Sequence, residues 1–570
     1  MAESTKSTSR ARAQAPKQPE APPQPGRFDA LLAFVICAAL AFYWTRTLSD
    51  ARAWGWDESM HAELPAVRIL LCLKAGDIAG AHSALLDCSQ YPFVWPLVLA
   101  AVQAVTGISE HACRIAGTIA WCWALFGLFL LGRELAARIE PRLKGARLLP
   151  WLLLLFGALS PLALAYAGTL FLEVPFACAM VWTLRAWVRR DGSATRELAA
   201  GEWITIALFT KWNYGLLLGG GLAVAWYFEG FAARRDLGKY AGRTFALAIV
   251  PVLACLWWFV LARGSEHCAV LVDFLKGNRE LGRTPSSRRW MDAGLALHLG
   301  PIVLAGVLAL ALVALVKLRS APVRVLFFVA LAFIVPSWMH PFHLDRFLIP
   351  QAIPIWALAA VGFAWLLWPL RFAALGILAF GCGGSWRETF ADRLGWLSDK
   401  PEVREYQRGV YESWRDLSGA RLLPTSGLER SAHDALLAAI VKEVGPTERV
   451  GWIGMSNGFS PAALHLGLLL RGGSSERFLA ECTRTLDVTY EGVDPAWTDE
   501  QLAAWSKGFD VVLHTLPPDL KDLAVRRFER KYVLRLEALG WSSREIARTL
   551  VARSLVAPIE LTLFACRPKK

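Results

Sequence analysis

Eleven apolar runs constrain this chain of 570 residues more than any other feature. Most of them are about as long as a membrane helix, since roughly 20 apolar residues cross the hydrocarbon core of a bilayer. The composition agrees, because 55% of the residues are hydrophobic and the mean hydropathy is +0.37, values too apolar for an ordinary soluble protein. The runs cover residues 28–48, 112–133, 147–167, 170–188, 198–211, 213–230, 243–262, 292–317, 323–339, 347–368 and 371–385.

A further apolar segment, residues 91–107, is slightly short and carries two prolines. If it spans the membrane, the basic segment 133–147 falls on the external side of the membrane. If it lies in the interface, that segment and every later basic loop fall inside, as the positive-inside rule expects. We therefore predict an interfacial or re-entrant helix. The later basic loops are residues 185–196, 234–243, 317–324 and Arg371.

The resulting map predicts a mainly α, polytopic transmembrane protein with about 11 spans and a soluble C-terminal α/β domain. Residues 1–27 are polar and basic, and we expect a disordered cytoplasmic tail. Residues 28–385 form the transmembrane domain, with a first periplasmic loop at 49–111. Residues 386–570 form the C-terminal domain, which the map places in the periplasm.

The C-terminal domain alternates helix-like and strand-like patterns. Residues 433–444 and 520–539 have apolar side chains at helical spacing, and residues 449–455 and 509–513 are typical of buried strands. This alternation predicts a small α/β domain.

The net charge and the spacing of the cysteines restrict the classes of function further. The net charge of +13 belongs largely to the cytoplasmic loops of the map, and no nucleic-acid-binding signature is present. The cysteines show no metal-ligand spacing. Cys72 and Cys88 share the first loop, and Cys482 and Cys566 share the C-terminal domain. Each pair is a candidate disulfide if its region faces an oxidising periplasm.

An acidic stretch, Trp54–His61, follows the first apolar run and includes Trp56, Asp57 and Glu58. Ionisable groups at a membrane boundary cost energy unless they are solvated, paired or used, and tryptophan favours the interface. The stretch is either the edge of an active site or a solvated loop acid beside an aromatic belt.

Two later apolar regions also carry charges. Glu173 opens an apolar run, where it either faces a polar cavity or benefits from a helix N-terminus near water. Lys211 lies in a polar break between two runs, where it either meets an anion or extends its ammonium group to the interface.

Arg346 follows His343 at the external end of another run, against the charge bias of the map. Guanidinium binds phosphate through two hydrogen bonds, so a phosphate-facing role is plausible. The alternative is an ion pair with Asp345 or another acid. Arg288 and Arg289 precede a run on the same side and either do the same or anchor the interface.

The ordered set of these motifs resembles the GT-C glycosyltransferases, in particular the branch of the dolichyl-phosphate-mannose protein mannosyltransferases and the bacterial aminoarabinose transferases of lipid A. The resemblance covers residues 28–370. It departs at Met60-His61, where the family has a tyrosine, and at Phe93, where it has a proline. The matching motifs are Trp56-Asp57-Glu58, Tyr91-Pro92, Trp95-Pro96, Glu110 with Arg114, Ser160-Pro161, Leu172-Glu173-Val174-Pro175, Thr210-Lys211 and His343 with Arg346-Phe347-Leu348-Ile349-Pro350.

The resemblance implies a multi-pass enzyme of the bacterial inner membrane. It would transfer a hexose or pentose from a polyprenyl-phosphate donor to a lipid, glycan or protein acceptor on the periplasmic face, with inversion. Asp57 would be the general base, and Glu173 would orient the acceptor or Asp57. Glu58 and His61 would orient Asp57.

The remaining candidates divide between donor and acceptor. No cofactor is expected, because this branch does not usually need a metal, although two nearby carboxylates can hold a divalent ion. A transporter or flippase of a lipid-linked substrate is the alternative function, since it also uses intramembrane charges and broken helices. The phosphate candidates are Lys211, Arg288, Arg289, His343 and Arg346, and the acceptor-pocket candidates are Trp56, His61 and Tyr91.

Overall fold

The computed structural model describes residues 27–46, 58–88, 91–139, 145–232, 236–269, 272, 301–339, 345–390, 430–445, 448–453, 464, 466–467, 498–516, 533–553 and 558–569. Its first part is helical, and its C-terminal part holds a small mixed sheet. The helices of the first part are α1 (Arg27–Arg46), α2 (Leu64–Lys74), α3 (Ile78–Leu86), α4 (Val94–Thr106), α5 (Glu110–Ile139), α6 (Leu149–Ala158), α7 (Pro161–Ala167), α8 (Glu173–Arg189), α9 (Ala194–Thr210), α10 (Trp212–Ala232), α11 (Leu237–Leu256), α12 (Pro301–Leu315), α13 (Ala321–Met339), α14 (Leu348–Trp365) and α15 (Trp368–Phe390).

Helices fill most of the described part of each apolar run. Five of the described helices, namely α1, α5, α11 with the π-helical turn that continues it, α13 and α14, are long and apolar enough to cross a membrane. Shorter apolar helices pack among them. The chain is therefore a multi-pass membrane protein, and the predicted mainly α fold class is confirmed.

Helix α4 occupies the segment that we expected to lie in the interface. It has 13 residues, which at 1.5 Å per residue give roughly 20 Å, less than the ~30 Å of a hydrocarbon core. The side chains of Trp95 and Leu99 pack on the apolar faces of α2 and α5. The helix is thus too short to cross a bilayer alone, and its position in the interface stays a prediction.

The candidate span over 147–167 is not one continuous helix. The segment forms two helices, α6 and α7, with a break at Leu159 and Ser160. The Ser160 hydroxyl caps α7 by accepting the backbone N–H of Ala163 at 3.2 Å, and Pro161 favours the first helical position because it has no N–H to satisfy.

Helix α14 is the central helix of the membrane part. Every residue from Leu348 to Ala364 is buried, and the helix packs against α12, α13, α8 and α6. At Gly362 a Cβ atom would lie 1.9 Å from the carbonyl oxygen of Leu310, so glycine permits the close approach of α12. The arginine that precedes α14 is consequently attached to a helix that is buried along nearly its whole length.

The C-terminal part is the predicted small α/β unit. It contains helices α16 (Arg430–Glu443) and α17 (Asp499–Ser506) and strands β1 (Val450–Ile453), β2 (Val511–Leu516), β3 (Trp541–Arg553) and β4 (Pro558–Pro568). The strand order is β1-β2-β4-β3, with β1 and β2 parallel and the other pairs antiparallel.

The sequence indicated α16, β1 and β2 but not the β3–β4 pair. Of the helix expected over 520–539, residues 533–538 are helical and 520–532 lie outside the described residues. Cys72 and Cys88 are both thiols, so the first candidate disulfide is absent from this structure. The second candidate involves Cys482, which lies outside the described residues.

A largely buried network of ion pairs joins the helices at one end of the bundle. Arg190 donates to Glu197 at 3.1 Å and to Glu229 at 2.9 Å, and Arg243 donates to Glu197 at 2.8 Å. The Arg190 guanidinium also lies 3.6 Å from the ring centre of Trp187. The network joins the 185–196 and 234–243 loops, which the charge map assigned to one side of the membrane.

We predict that Arg190→Gln lowers the free energy of unfolding by about 3 kcal/mol, because the buried Glu197 and the partly buried Glu229 lose the most buried of their two arginine partners. Thermal denaturation of the purified protein in detergent measures the change. Arg196→Gln is the matched control, since Arg196 and its partner Asp191 are 46% and 45% exposed. Equal melting temperatures for the two variants would contradict the role given to the network.

Candidate functional site

Three charged side chains from separate helix ends meet at the opposite end of the bundle. Lys211 Nζ donates to Glu173 Oε1 at 2.6 Å, and Arg346 Nε lies 3.3 Å from the same oxygen. The side chains are 5%, 2% and 13% exposed for Lys211, Glu173 and Arg346. The structure thus brings together three predicted residues that lie far apart in the sequence.

Local sequence explains why each charge is at a helix end. Glu173 is the first residue of α8, where the helix dipole favours an acid. Lys211 has extended backbone between α9 and α10, so the chain turns at this residue. Arg346 lies in a 3₁₀ turn, Asp345–Phe347, immediately before α14.

Aromatic rings surround the Lys211 ammonium group. Its Nζ lies 4.4 Å from the ring centre of Tyr214, 5.3 Å from that of Phe347 and 5.4 Å from that of Tyr91. Such contacts stabilise a cation while excluding water. Tyr91, a candidate for the acceptor pocket, thus lies beside the Lys211 ammonium group.

The Arg346 guanidinium has its own aromatic support. It lies 4.0 Å from the ring centre of Phe171, two residues before Glu173. A planar guanidinium stacked in this way is held in orientation and loses less entropy when it binds an anion. The side chain is therefore placed for directional binding.

The loop that follows α1 contributes Glu58 and His61. The Glu58 carboxylate accepts the backbone N–H of Leu170 at 3.3 Å and is buried. The His61 ring packs edge-on against Tyr91, with ring centres 4.7 Å apart. Both residues join the loop that contains Asp57 to the Glu173–Lys211–Arg346 site.

The turn over residues 168–172 carries Glu173 and lies on α5. A Cβ atom at Gly117 would be 2.6 Å from the carbonyl oxygen of Ala167 and 2.7 Å from that of Thr169. Only glycine permits this approach without a shift of the backbone. Arg114 Nη1 donates to the carbonyl oxygen of Gly168 at 3.3 Å, so α5 fixes the turn by packing and by a hydrogen bond.

The formal charges of the site favour an anion. Lys211 and Arg346 contribute two positive charges and Glu173 one negative charge, which leaves +1. In a low-dielectric environment such a charge interacts far more strongly than in water. The site is thus suited to bind an anion.

These contacts decide between the alternatives left by the sequence. Glu173 is both a helix-terminus acid and the partner of two cations, and Arg346 is paired with Glu173. Lys211 is buried and paired with the Glu173 carboxylate. Sequence reasoning missed the ring partners Phe171, Tyr214 and Phe347, because aromatic residues are common throughout this chain.

The other predicted site residues lie outside the described part of the chain, and their roles stay predictions. Within the described ranges, no group of three or more His, Cys, Asp or Glu side chains is placed to hold a metal ion. The candidates outside the described ranges are Trp56, Asp57, Arg288, Arg289 and His343.

Solved structures of the same architecture exist. ArnT from Cupriavidus metallidurans in the apo state has a TM-score of 0.55 and 17% sequence identity, over 94% of this chain and 97% of ArnT. ArnT from the same organism bound to undecaprenyl phosphate has a TM-score of 0.53 and 17% identity, over 93% of this chain and 97% of ArnT.

The arabinofuranosyltransferase AftD from Mycobacteria has a TM-score of 0.53 and 13% identity over 96% of this chain, which spans 40% of AftD. The sequence itself matches no protein-family model and no curated protein. The fold of this chain is therefore the fold that it shares with ArnT and with the arabinofuranosyltransferase AftD.

Proposed function

We propose that this protein is a glycosyltransferase that moves a sugar from a polyprenyl-phosphate donor to an acceptor hydroxyl on the periplasmic face of the bacterial inner membrane. The single observation that carries the proposal is the buried site in which Lys211 and Arg346 share the carboxylate of Glu173. The structure of ArnT with undecaprenyl phosphate supports this class of donor.

In this proposal the two cations bind the donor phosphate. Lys211 and Arg346 both have further donor hydrogens beyond those directed at Glu173. Charge-assisted hydrogen bonds to phosphate are about twice as strong as neutral ones. Glu173 acts as the counter-ion that keeps both cations in place before the lipid arrives.

The reaction breaks one bond and forms one. The acceptor oxygen attacks the anomeric carbon, the bond from that carbon to the phosphate oxygen breaks, and the polyprenyl phosphate leaves with the electron pair. Phosphate is a good leaving group, so the reaction needs a base for the acceptor proton and cations for the departing phosphate. Asp57 is the proposed base.

Glu58 and His61 are positioning residues in this scheme. Glu58 is adjacent to Asp57 in the chain and fixes the loop to the backbone of Leu170. His61 fixes it to Tyr91. The loop that carries the base is thereby attached to the elements that carry the phosphate-binding cations.

We predict that Lys211→Met weakens binding of undecaprenyl phosphate roughly ten- to hundred-fold, the usual value of a hydrogen bond to a charged group. Lys211→Arg should retain most of the affinity because it keeps the charge. Lipid titration of the purified protein, followed by native mass spectrometry, measures the binding.

Stability and binding are measured separately. Lys211→Met removes one of the two cations of the buried Glu173 carboxylate, so its melting temperature is compared with that of Lys211→Arg before the affinities are compared. Lys317→Met is the matched control, because Lys317 stacks on Trp365 at the other end of α14. Wild-type affinity in Lys211→Met would exclude this lysine from the phosphate site.

We also predict that Asp57→Asn reduces turnover by about 10²–10⁴-fold, the usual contribution of a general base, while binding of undecaprenyl phosphate is unchanged. The assay incubates the protein in nanodiscs with a cell-envelope lipid extract and measures the release of undecaprenyl phosphate. Asp50→Asn, earlier in the same loop, is the control.

Unchanged release in Asp57→Asn would remove this carboxylate from the mechanism. Movement of the intact lipid-linked sugar from one leaflet of a proteoliposome membrane to the other, without any release of undecaprenyl phosphate, would instead identify a flippase. This result would overturn the proposal of an enzyme.

A further inference from the structure

A second buried charge cluster lies where the first external loop, α5 and the C-terminal part meet. Its members are Glu63, Glu110, Arg114 and Arg430. The first three are 0%, 8% and 8% exposed. Arg430, the first residue of α16, forms an ion pair with Glu110, the first residue of α5.

An apolar contact joins the same parts. Leu466 of the C-terminal part is buried in the cluster of apolar side chains that includes Val67 of α2 and Leu99 of α4. Leu464, two residues earlier, packs into the core of the C-terminal part itself. The C-terminal part is therefore attached to the external loop by an ion pair and by apolar packing.

The charge cluster also reaches the Glu173–Lys211–Arg346 site. Glu110 and Arg114 are four residues apart and thus lie on one face of α5. Arg114 donates to the carbonyl oxygen of Gly168, in the turn that leads to Glu173. A continuous path of contacts consequently runs from Arg430 through α5 to this turn.

We propose that the C-terminal part positions the site by charge balance: Arg430 neutralises the excess of buried carboxylates at Glu63 and Glu110, and so leaves Arg114 directed at the turn that carries Glu173. The effect on sugar transfer rests on the proposed function, but the positioning itself does not.

The count of charges explains why Arg430 is needed. With Arg430 in place and Glu63 ionised, two guanidinium groups face two carboxylates. Without it, Arg114 alone faces both carboxylates, and it is drawn towards them and away from the carbonyl group of Gly168. An uncompensated buried charge is among the most costly features of a protein interior.

Glu63 is the carboxylate that this imbalance of charge affects most. Burial and the neighbouring carboxylate of Glu110 raise the pKa of Glu63 well above its ordinary value, while Arg114 and Arg430 oppose the rise. The Cys113 thiol donates to Glu63, and the Gln103 amide donates to the Cys113 sulfur at 2.7 Å.

The test measures amide hydrogen exchange in the full chain, reconstituted in nanodiscs without substrate. The reporter peptide covers residues 168–173 and includes the Leu170 amide that donates to Glu58. We expect Arg430→Gln to accelerate exchange in this peptide on the order of ten-fold, within the usual range of coupling between sites. Arg430→Lys keeps the charge and should exchange like the wild type.

A rescue variant distinguishes charge balance from simple contact. Glu63→Gln in the Arg430→Gln background leaves one carboxylate facing one guanidinium, so exchange of the reporter peptide should return to the wild-type rate. Arg449→Gln is the matched control, because Arg449 pairs with Asp510 within the C-terminal part. Its exchange in the reporter peptide should not change.

Two results would overturn the inference. Unchanged exchange in Arg430→Gln would show that the C-terminal part does not hold the turn. Faster exchange without rescue by Glu63→Gln would show that charge balance is not the cause. Neither result depends on turnover, so a failure of the proposed enzyme activity is recognised separately by Asp57→Asn.

Discussion

The ion pair of Lys211 with Glu173, shared by Arg346, is the interaction on which the arrangement of the membrane part depends. Each of the three residues lies where a helix begins, ends or breaks. Backbone that leaves a helix at membrane depth is tolerated only when protein or a polar cavity surrounds it. The Glu173 carboxylate pairs with Lys211 and Arg346, and these ion pairs join three helix interruptions to one another. A site of this kind does not exist in any single helix and forms only when α8, α9, α10 and α14 are packed.

The two ends of the bundle use charge differently. Arg190 and Arg243 face Glu197 and Glu229, so two positive and two negative charges cancel. The Glu173–Lys211–Arg346 site at the other end retains one positive charge. Helix α8 connects the two clusters, and its 17 residues span roughly 25 Å, close to the thickness of a hydrocarbon core. A balanced cluster needs no ligand, whereas the unbalanced one favours an anion, so among the described residues the charge balance favours the Glu173–Lys211–Arg346 end as the candidate active site.

The sequence predicted the ionisable part of the site and much of the helical fold, for one physical reason. Charges within apolar runs are costly, so Glu173, Lys211 and Arg346 are conspicuous in the sequence. The aromatic partners are not, because a phenylalanine such as Phe171 costs nothing in a membrane helix whether or not it supports a cation. The β3–β4 pair was missed because the charges on β3 hide its alternation, and its two faces are defined only once β4 is paired with it.

The same reasoning explains how a fold can be shared at 17% identity while no family model matches the sequence. A lipid-facing position accepts almost any apolar side chain, because the lipid tails are as apolar as leucine. Most of a membrane helix is thus weakly constrained by its surroundings. The constraint concentrates at helix ends, where a charge must be paired and a turn must be satisfied. A sequence comparison averaged over the chain dilutes these few positions. The cost of burying a charge marks these positions in the sequence, and the ion pairs of Glu173 with Lys211 and Arg346 show that three of them meet in space.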